Sequence, residues 1–253
     1  MPETTPRQWR EQGGDGVPEP RGGAALVDQG AAEPRVRAAL ADLAAARGSE
    51  HAALTALAGS RLLVPVVAVL TEAGGPAGGT REEKTTEMAL PTLVGRDGRT
   101  AVVAFTCLDS LRRWRQDARP VPVPASRVWQ AGLTEASAVV IDVAGPVPLT
   151  VAGARLAALA AGEPVPMPYE DPDVAAAVSA AIAGEPLIRA ARLTPCGSGD
   201  GGPDLGVETE LVSGCDPQHA TAAIQRVARA LAAATGSTLR RGIEVSATTA
   251  DPQ

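Results

Sequence analysis

The chain has 253 residues, of which 45% are hydrophobic and 21% are charged, and its formal net charge at pH 7 is −6. These values suit one large or two small globular domains and exclude the collagen-like, fully disordered and disulfide-scaffold classes. Only 2% of the residues are aromatic, so stacking platforms for single-stranded nucleic acid are not expected, and the acidic balance opposes binding to phosphate backbones.

The sequence predicts a cytoplasmic protein without a membrane partner. Its first residues lack the apolar core of a secretory signal. The longest apolar stretch, residues 62–70, is about half the roughly 18 to 20 residues of a membrane-spanning helix. The three cysteines are an odd and sparse set, which is typical of reduced thiols and not of a disulfide framework.

The first third of the chain alternates between flexible and regular composition. Residues 1–32 are rich in Pro, Gly, Gln and Glu, which predicts a disordered tail. Order is expected from Pro34, with two short helices followed by a strand at 61–68, in which Pro65 indicates an edge or a strand start. The Gly-rich segment 71–84 predicts a flexible loop.

The middle of the chain begins with a hairpin signal. Strands at 88–94 and 100–105 flank Asp97-Gly98, a dipeptide that favours tight hairpin turns. Thr106 is expected to open the next helix. The remaining elements are an extended proline segment at 120–124, a helix at 126–133, a central strand at 138–141 and a helix at 151–161.

The C-terminal third follows a proline-stiffened segment at 163–170, which predicts a linker. Beyond it, residues 171–248 have the order α-β-β-α-β, which suits an antiparallel sheet with helices over one face. The predicted fold class is therefore α/β (α+β), with two small mixed-sheet domains at 34–162 and 171–248.

The segment 197–202 fits G-x-G-x-x-G, the pattern of dinucleotide-binding loops. Such a loop needs a helix directly after it, because the helix amides hold the phosphate. Here Pro203 and an alternating strand follow, so the sequence favours a hairpin loop and no cofactor is predicted.

Cys107 and Arg113 have the spacing found in thiol phosphatases and sulfurtransferases. Two leucines and an aspartate lie between them, however, which suits a helical turn better than a loop that cradles an oxyanion. Cys107 also shares a helical stripe with Leu111 and Trp114. We therefore expect a packed, non-catalytic thiol, and we expect Trp114 to be largely buried against Phe105 and Leu111.

A metal site is not predicted either. Cys215 and His219 lie on one helical face, but Cys196 would lie at the opposite end of the hairpin, about 20 Å away for about seven residues of strand. His219 and His51 are expected at helix starts. No catalytic, metal-binding or cofactor-binding residue is therefore assigned.

The densest basic cluster consists of Arg112, Arg113, Arg115 and Arg119 around Trp114. It is either the solvated face of a helix or an anchor for an acidic partner, since arginine and tryptophan are frequent at interface hot spots.

Several motifs together resemble the N-terminal domain of SseB-like bacterial proteins over residues 34–162. The matching segments are S-R-L-L-V-P-V at 60–66, L-P-T-L at 90–93, V-A-F-T-C-L-D-S-L-R-R-W at 103–114, A-V-V-I-D at 138–142 and P-V-P-L-T at 146–150. Residues 170–248 look like the second SseB domain, on less specific grounds. Cys107 stands where the family more usually has serine, so the pattern does not need sulfur there.

The resemblance implies an accessory role, because the family has no established reaction. It implies a non-enzymatic, regulatory protein-interaction module whose partner is another protein. A link to the translation machinery is implied too, since actinobacterial relatives tend to lie near translation genes. The alternatives are a thiol enzyme using Cys107 and Arg113 and a small-ligand sensor at the cleft between the domains.

Overall fold

The computed structural model describes residues 4–8, 30–70, 86–95, 98–196, 202–236 and 238–249. The predicted flexible loop at 71–84 and residues 197–201 of the Gly-rich segment lie outside the described residues. Among the described residues, no helix combines the length and the apolar character needed to cross a membrane.

The described elements are strands and helices in a mixed α/β arrangement, as the sequence predicts. The strands are β1 (Thr4–Gln8), β2 (Arg61–Leu70), β3 (Thr86–Val94), β4 (Thr100–Ala104), β5 (Arg119–Pro124), β6 (Ala138–Ile141), β7 (Leu149–Ala152), β8 (Ile188–Thr194), β9 (Leu205–Leu211) and β10 (Ile243–Thr249). The helices are α1 (Pro34–Ala44), α2 (Glu50–Ala58), α3 (Leu108–Trp114), α4 (Ala125–Glu135), α5 (Gly153–Ala161), α6 (Pro172–Ile182) and α7 (Pro217–Thr235).

The chain forms two compact units that are interleaved along the sequence. The first unit comprises Met1–Glu33 and Arg61–Leu149, and the second comprises Pro34–Ser60 and Thr150–Gln253. Helices α1 and α2 thus belong to the second unit, whereas the sequence predicts one linear boundary at 163–170. The division into domains at 34–162 and 171–248 remains a prediction.

The large sheet has the strand order β5-β2-β3-β4-β6-β7, and β1 also pairs with β3. The predicted hairpin is confirmed, because β3 and β4 pair antiparallel and Gly98 has the left-handed φ of +78° that favours glycine in turns. Strands β4 and β6 pair in parallel, so their carboxyl ends meet at the same edge. Strand β6 lies between two neighbours, as its apolar faces predict.

The proline segment predicted as a connection is the edge strand β5, paired antiparallel with β2. Strand β2 consequently lies inside the sheet with Pro65 as its fifth residue, so neither the edge position nor the strand start predicted from Pro65 is found. The Leu63 amide and carbonyl both bond to Phe105, at 2.7 and 2.8 Å, so neither bonds to the opposite residue, Pro122. The prolines at alternate β5 positions therefore direct their nitrogens away from β2, towards the open edge of the sheet. No amide donor is required at that edge.

Part of the predicted tail is structured. Strand β1 pairs antiparallel with β3, and main-chain pairing of this kind gives no signal in composition. Further along, the Gly30 carbonyl accepts the Leu108 amide at 2.7 Å. Arg61 holds the same segment, since its Nη2 donates to the Ala31 carbonyl at 2.6 Å and its amide donates to Glu33 Oε1 at 2.7 Å.

The core around α3 contains one fully buried and one half-buried aromatic ring. Phe105 is buried with Leu63 and Leu111, and the Trp114 ring packs on it at a centroid distance of 5.5 Å. Trp114 itself is partly exposed but packs against Phe105 and Leu111, in line with the prediction that it is largely buried there. Among the tryptophans that the structure describes, Trp129 on α4 is the fully buried one.

The C-terminal part of the second unit has the predicted α-β-β-α-β order. Its sheet has the order β10-β9-β8, in which β8 and β9 pair antiparallel but β10 and β9 pair in parallel. The all-antiparallel expectation is therefore wrong, because the long helix α7 crosses over and returns the chain in the same direction. Alternate β9 residues such as Leu205 and Val207 are buried with Val227 and Leu231 of α7.

Candidate functional site

Two polar residues follow neighbouring parallel strands of the large sheet. Thr106 comes shortly after β4, and Asp142 comes directly after β6. In open α/β sheets, ligands bind outside the carboxyl ends of such strands. This edge is therefore the first place to look for a site in the first unit.

Asp142 is bonded on both carboxylate oxygens by Thr106. The Thr106 amide donates to Oδ1 at 2.9 Å, and its hydroxyl donates to Oδ2 at 2.6 Å. Asp142 is 3% exposed and adopts a left-handed φ of +49°. Burial raises the pKa of Asp142, and hydrogen bonds from Thr106 and Ser110 oppose that rise. The Asp142 carboxylate, which could otherwise bind a ligand, is thus already engaged in hydrogen bonds within the protein.

Cys107 lies at the N-cap of α3 and is half-buried. Its thiol is 3.4 Å from the Ser110 hydroxyl, and it makes no side-chain capping bond. Two nearby amides already have acceptors, because Leu108 donates to the Gly30 carbonyl and Leu111 to the Cys107 carbonyl. The Gly30 carbonyl therefore caps the start of α3. Cys107 and not Thr106 is the N-cap residue, so the expectation that Thr106 opens the helix is wrong.

The structure does not form the loop that a thiol phosphatase would need between Cys107 and Arg113. The intervening residues are helical, so the two residues are about 9 Å apart along the axis for six steps of 1.5 Å. Arg113 is exposed in the last turn of α3. The structure brings Cys107 to Ser110 and not to its arginine partner.

The arginines of the cluster are exposed along the segment from the last turn of α3 to the first residue of β5. We call this the basic surface; it consists of Arg112, Arg113, Arg115, Arg119 and the half-buried Trp114, and all four arginines are exposed. Within this surface the Arg115 Nε donates to Asp117 Oδ1 at 3.1 Å. Segment 108–119 contains four arginines and two aspartates, a net charge of +2 in a chain of net charge −6.

Cys196 and Cys215 lie at opposite ends of the β8–β9 hairpin, as the sequence predicts. Cys196 follows β8, whereas Cys215 follows the far end of its antiparallel neighbour β9. Cys215 precedes the Asp216 N-cap of α7, however, and so does not share a helical face with His219. His219 Nδ1 is 2.9 Å from Asp216 Oδ2 at the start of α7 and is exposed. Burial raises the pKa of the Cys196 thiol, which disfavours the thiolate. Across the described ranges, no three His, Cys, Asp or Glu side chains are grouped to hold a metal ion.

The second unit contains a buried ionic cluster that the sequence does not predict. Glu50 on α2 is 2% exposed, and its carboxylate accepts from Arg155 Nη1 at 2.6 Å and from Arg240 Nε at 3.2 Å. Arg155 also donates to Thr238 Oγ1 at 3.0 Å and lies 3.6 Å from Asp171 Oδ2. These residues are far apart in sequence, so no local pattern announces them.

The chemistry of the ionic cluster is structural. Burial raises the pKa of Glu50, and attraction to Arg155 and Arg240 lowers it, with burial the larger effect. Burial also raises the pKa of Asp171. In the described part of the chain every buried polar side-chain atom has a hydrogen-bond partner. The cluster therefore joins α2, α5 and α6 within the second unit and has no free group aimed at a ligand.

Comparison with known proteins adds one finding. Residues 36–158 match the family model described as the SseB protein N-terminal domain, from within α1 to within α5. No curated protein and no solved structure gave a match to the chain. The match covers the segment on which the sequence motifs suggested the same family, and it covers no part of residues 171–248.

Proposed function

We propose that this chain, whose residues 36–158 match the SseB N-terminal domain family, is a cytoplasmic accessory protein that acts by binding another protein and not by catalysis. The family supports a non-catalytic accessory role in general terms. The regulatory role, the location and the type of partner are our proposals.

The observation that carries the proposal is the basic surface. Its four exposed arginines lie within five residues of Trp114 in sequence, and the Trp114 ring packs on the fully buried Phe105. Arginine and tryptophan are enriched at interface hot spots, and an anchor that is already rigid loses little entropy on binding. The positive charge of this surface favours a partner with an acidic face.

The geometry at Cys107 supports a binding role over the thiol-enzyme alternative. The amides of Thr106, Leu108 and Leu111 already bond to protein acceptors. A loop that stabilises an oxyanion needs such amides free. Neither the thiol enzyme nor the ligand sensor gains support from a described residue.

The proposal is tested by affinity capture from the native cell with three forms of the chain. The double variant Arg112→Glu/Arg113→Glu reverses two charges of the basic surface. Arg189→Glu reverses one exposed arginine on β8, which is in the other unit, and serves as the matched control. We expect acidic proteins captured by the wild type and by the control to be lost from the double variant. Equal capture by all three forms would refute the basic surface as the binding site.

A further inference from the structure

The ends of the two sheets differ in how they are protected against pairing with another chain. Exposed edge strands invite such pairing, and proteins discourage it with prolines, charges, bulges or short strands. Edge strand β5 carries three prolines, and β7 has only four residues. Edge strand β8 carries Arg189 and Arg192 and has a register shift between Ile188 and Ala190.

Strand β10 has none of these protections apart from one charge. Its seven residues, I-E-V-S-A-T-T, include no proline, and Glu244 is the only charged side chain. In the part of the chain that the structure describes, β10 pairs with β9 on one side and with no strand on the other.

The hydrogen bonds show which main-chain groups lie at this open side. The carbonyls of Gly242 and Ser246 accept from β9 or the residue before it, at 2.9 Å from the Asp204 amide and 2.8 Å from the Thr209 hydroxyl. Because strand residues alternate in direction, the even-numbered β10 residues face β9. The amides and carbonyls of Ile243, Val245 and Ala247 therefore face outward.

We propose that β10 pairs with β10 of a second copy of this chain, antiparallel and centred on Ser246. This register pairs all seven residues and joins Val245 with Ala247 of the other copy. It also sets Glu244 opposite Thr248, whereas a parallel arrangement would place the two Glu244 side chains together, which is unfavourable.

The two-fold pairing also limits the assembly to two copies. A symmetric antiparallel contact uses the open edge of both copies and yields one six-stranded sheet. The far edges of that sheet are the two β8 strands, whose arginines and irregular register oppose further addition. A closed dimer is therefore expected, and not a fibre. This inference is independent of the basic surface.

The test uses Ala247→Pro, with Ala247→Ser as its matched control. Proline removes an outward amide that β9 does not use, so the fold should survive while the pairing is lost. By sedimentation equilibrium up to about 100 µM, since small interfaces dissociate readily, we expect twice the 25.6 kDa chain mass for the wild type and the control. We expect a single chain mass for Ala247→Pro. A monomeric wild type, or a dimer that Ala247→Pro leaves intact, overturns the proposal.

Hydrogen exchange tests the same pairing without any variant, should Ala247→Pro fail to fold. We expect the amides of Val245 and Ala247 to gain protection as the protein concentration rises. The amides of Glu244 and Ser246 should be protected at every concentration, because they face β9. Outward amides whose exchange does not depend on concentration would overturn the proposal.

Discussion

Thr106 donates hydrogen bonds to both carboxylate oxygens of Asp142, from its amide at 2.9 Å and from its hydroxyl at 2.6 Å. The two residues follow β4 and β6, so this pair ties together the carboxyl ends of two parallel strands. The position where many α/β proteins bind ligands is thus occupied by hydrogen bonds within the protein. The exposed groups that we propose to bind a partner are the arginines of the basic surface instead.

Replacing Asp142 should reveal both its bonds and its burial. Asp142→Ala leaves the buried Thr106 donors without their acceptor and should lower the free energy of unfolding by about 1 to 3 kcal/mol. Asp142→Asn keeps an acceptor oxygen, and asparagine tolerates a left-handed φ, so the loss should be smaller. Urea denaturation of both variants measures these losses, and an equal loss in the two would contradict the account.

The pH dependence of Asp142 has a definite sign. Because its folded pKa is raised, the folded state binds a proton more tightly than the unfolded state does. Its contribution to the free energy of unfolding should therefore decrease as the pH rises from about 4 towards neutrality. Relative to Asp142→Asn, the wild type should lose stability over that range. A difference between the two that grows with pH in favour of the wild type would be inconsistent with the raised pKa.

Arg155 should contribute much more to stability than an exposed arginine. Arg155→Met leaves the buried Glu50 with one ionic partner fewer, and breaking a buried pair costs about 3 to 5 kcal/mol. The control is Arg47→Met, which removes an exposed pair with Asp42 and should change stability little. Thermal and urea unfolding of both variants provide the comparison. Similar losses would show that the ionic cluster does not hold the second unit together.

Gly30 should tolerate alanine less well than Gly98 does. Both glycines have a positive φ, so alanine carries a strain of about 1 to 2 kcal/mol at either site. At Gly30 the added Cβ would also lie 2.9 Å from Leu108 Cβ, whereas nothing lies within 4 Å at Gly98. Gly30→Ala should thus be the more destabilising variant in urea denaturation. If the two variants proved alike, Gly30 would not be packed on α3.

Replacement of Trp129 should cost more stability than replacement of Trp114, because Trp129 is the more buried of the two. Trp129 is fully buried, so Trp129→Ala should cost about 3 to 5 kcal/mol, whereas Trp114→Ala should cost clearly less. Trp114→Ala should instead weaken capture of the partner, because it removes the anchor of the basic surface. Unchanged capture by a folded Trp114→Ala protein would count against that role.

Local patterns predicted the elements whose signals lie within a few residues of one another. The Asp97-Gly98 turn predicted the β3–β4 hairpin, and the alternation from Leu205 predicted β9. The arginines of the basic surface were also visible, because they are neighbours in sequence. Their exposure, and the partial burial of Trp114, depend on packing that no local pattern reports.

Features that depend on distant residues could not be predicted. The start of α3 is capped by the Gly30 carbonyl, and Thr106 is bonded to Asp142, which is 36 residues away. The β5 strand was hidden because its alternate prolines suggest a connection, although they suit an edge whose nitrogens face outward. Glu50 and Arg155 are 105 residues apart, so their pairing exists only in the folded chain.

The most direct test of the central claim is photo-crosslinking from the basic surface in the native cell. A photoreactive amino acid replaces Arg113 in one form of the chain and the exposed Arg189 of β8 in a control form. The account predicts that irradiation joins an acidic protein to the chain from position 113 and not from position 189. No adduct from position 113, or the same adduct from both positions, would contradict the claim that this surface binds the partner.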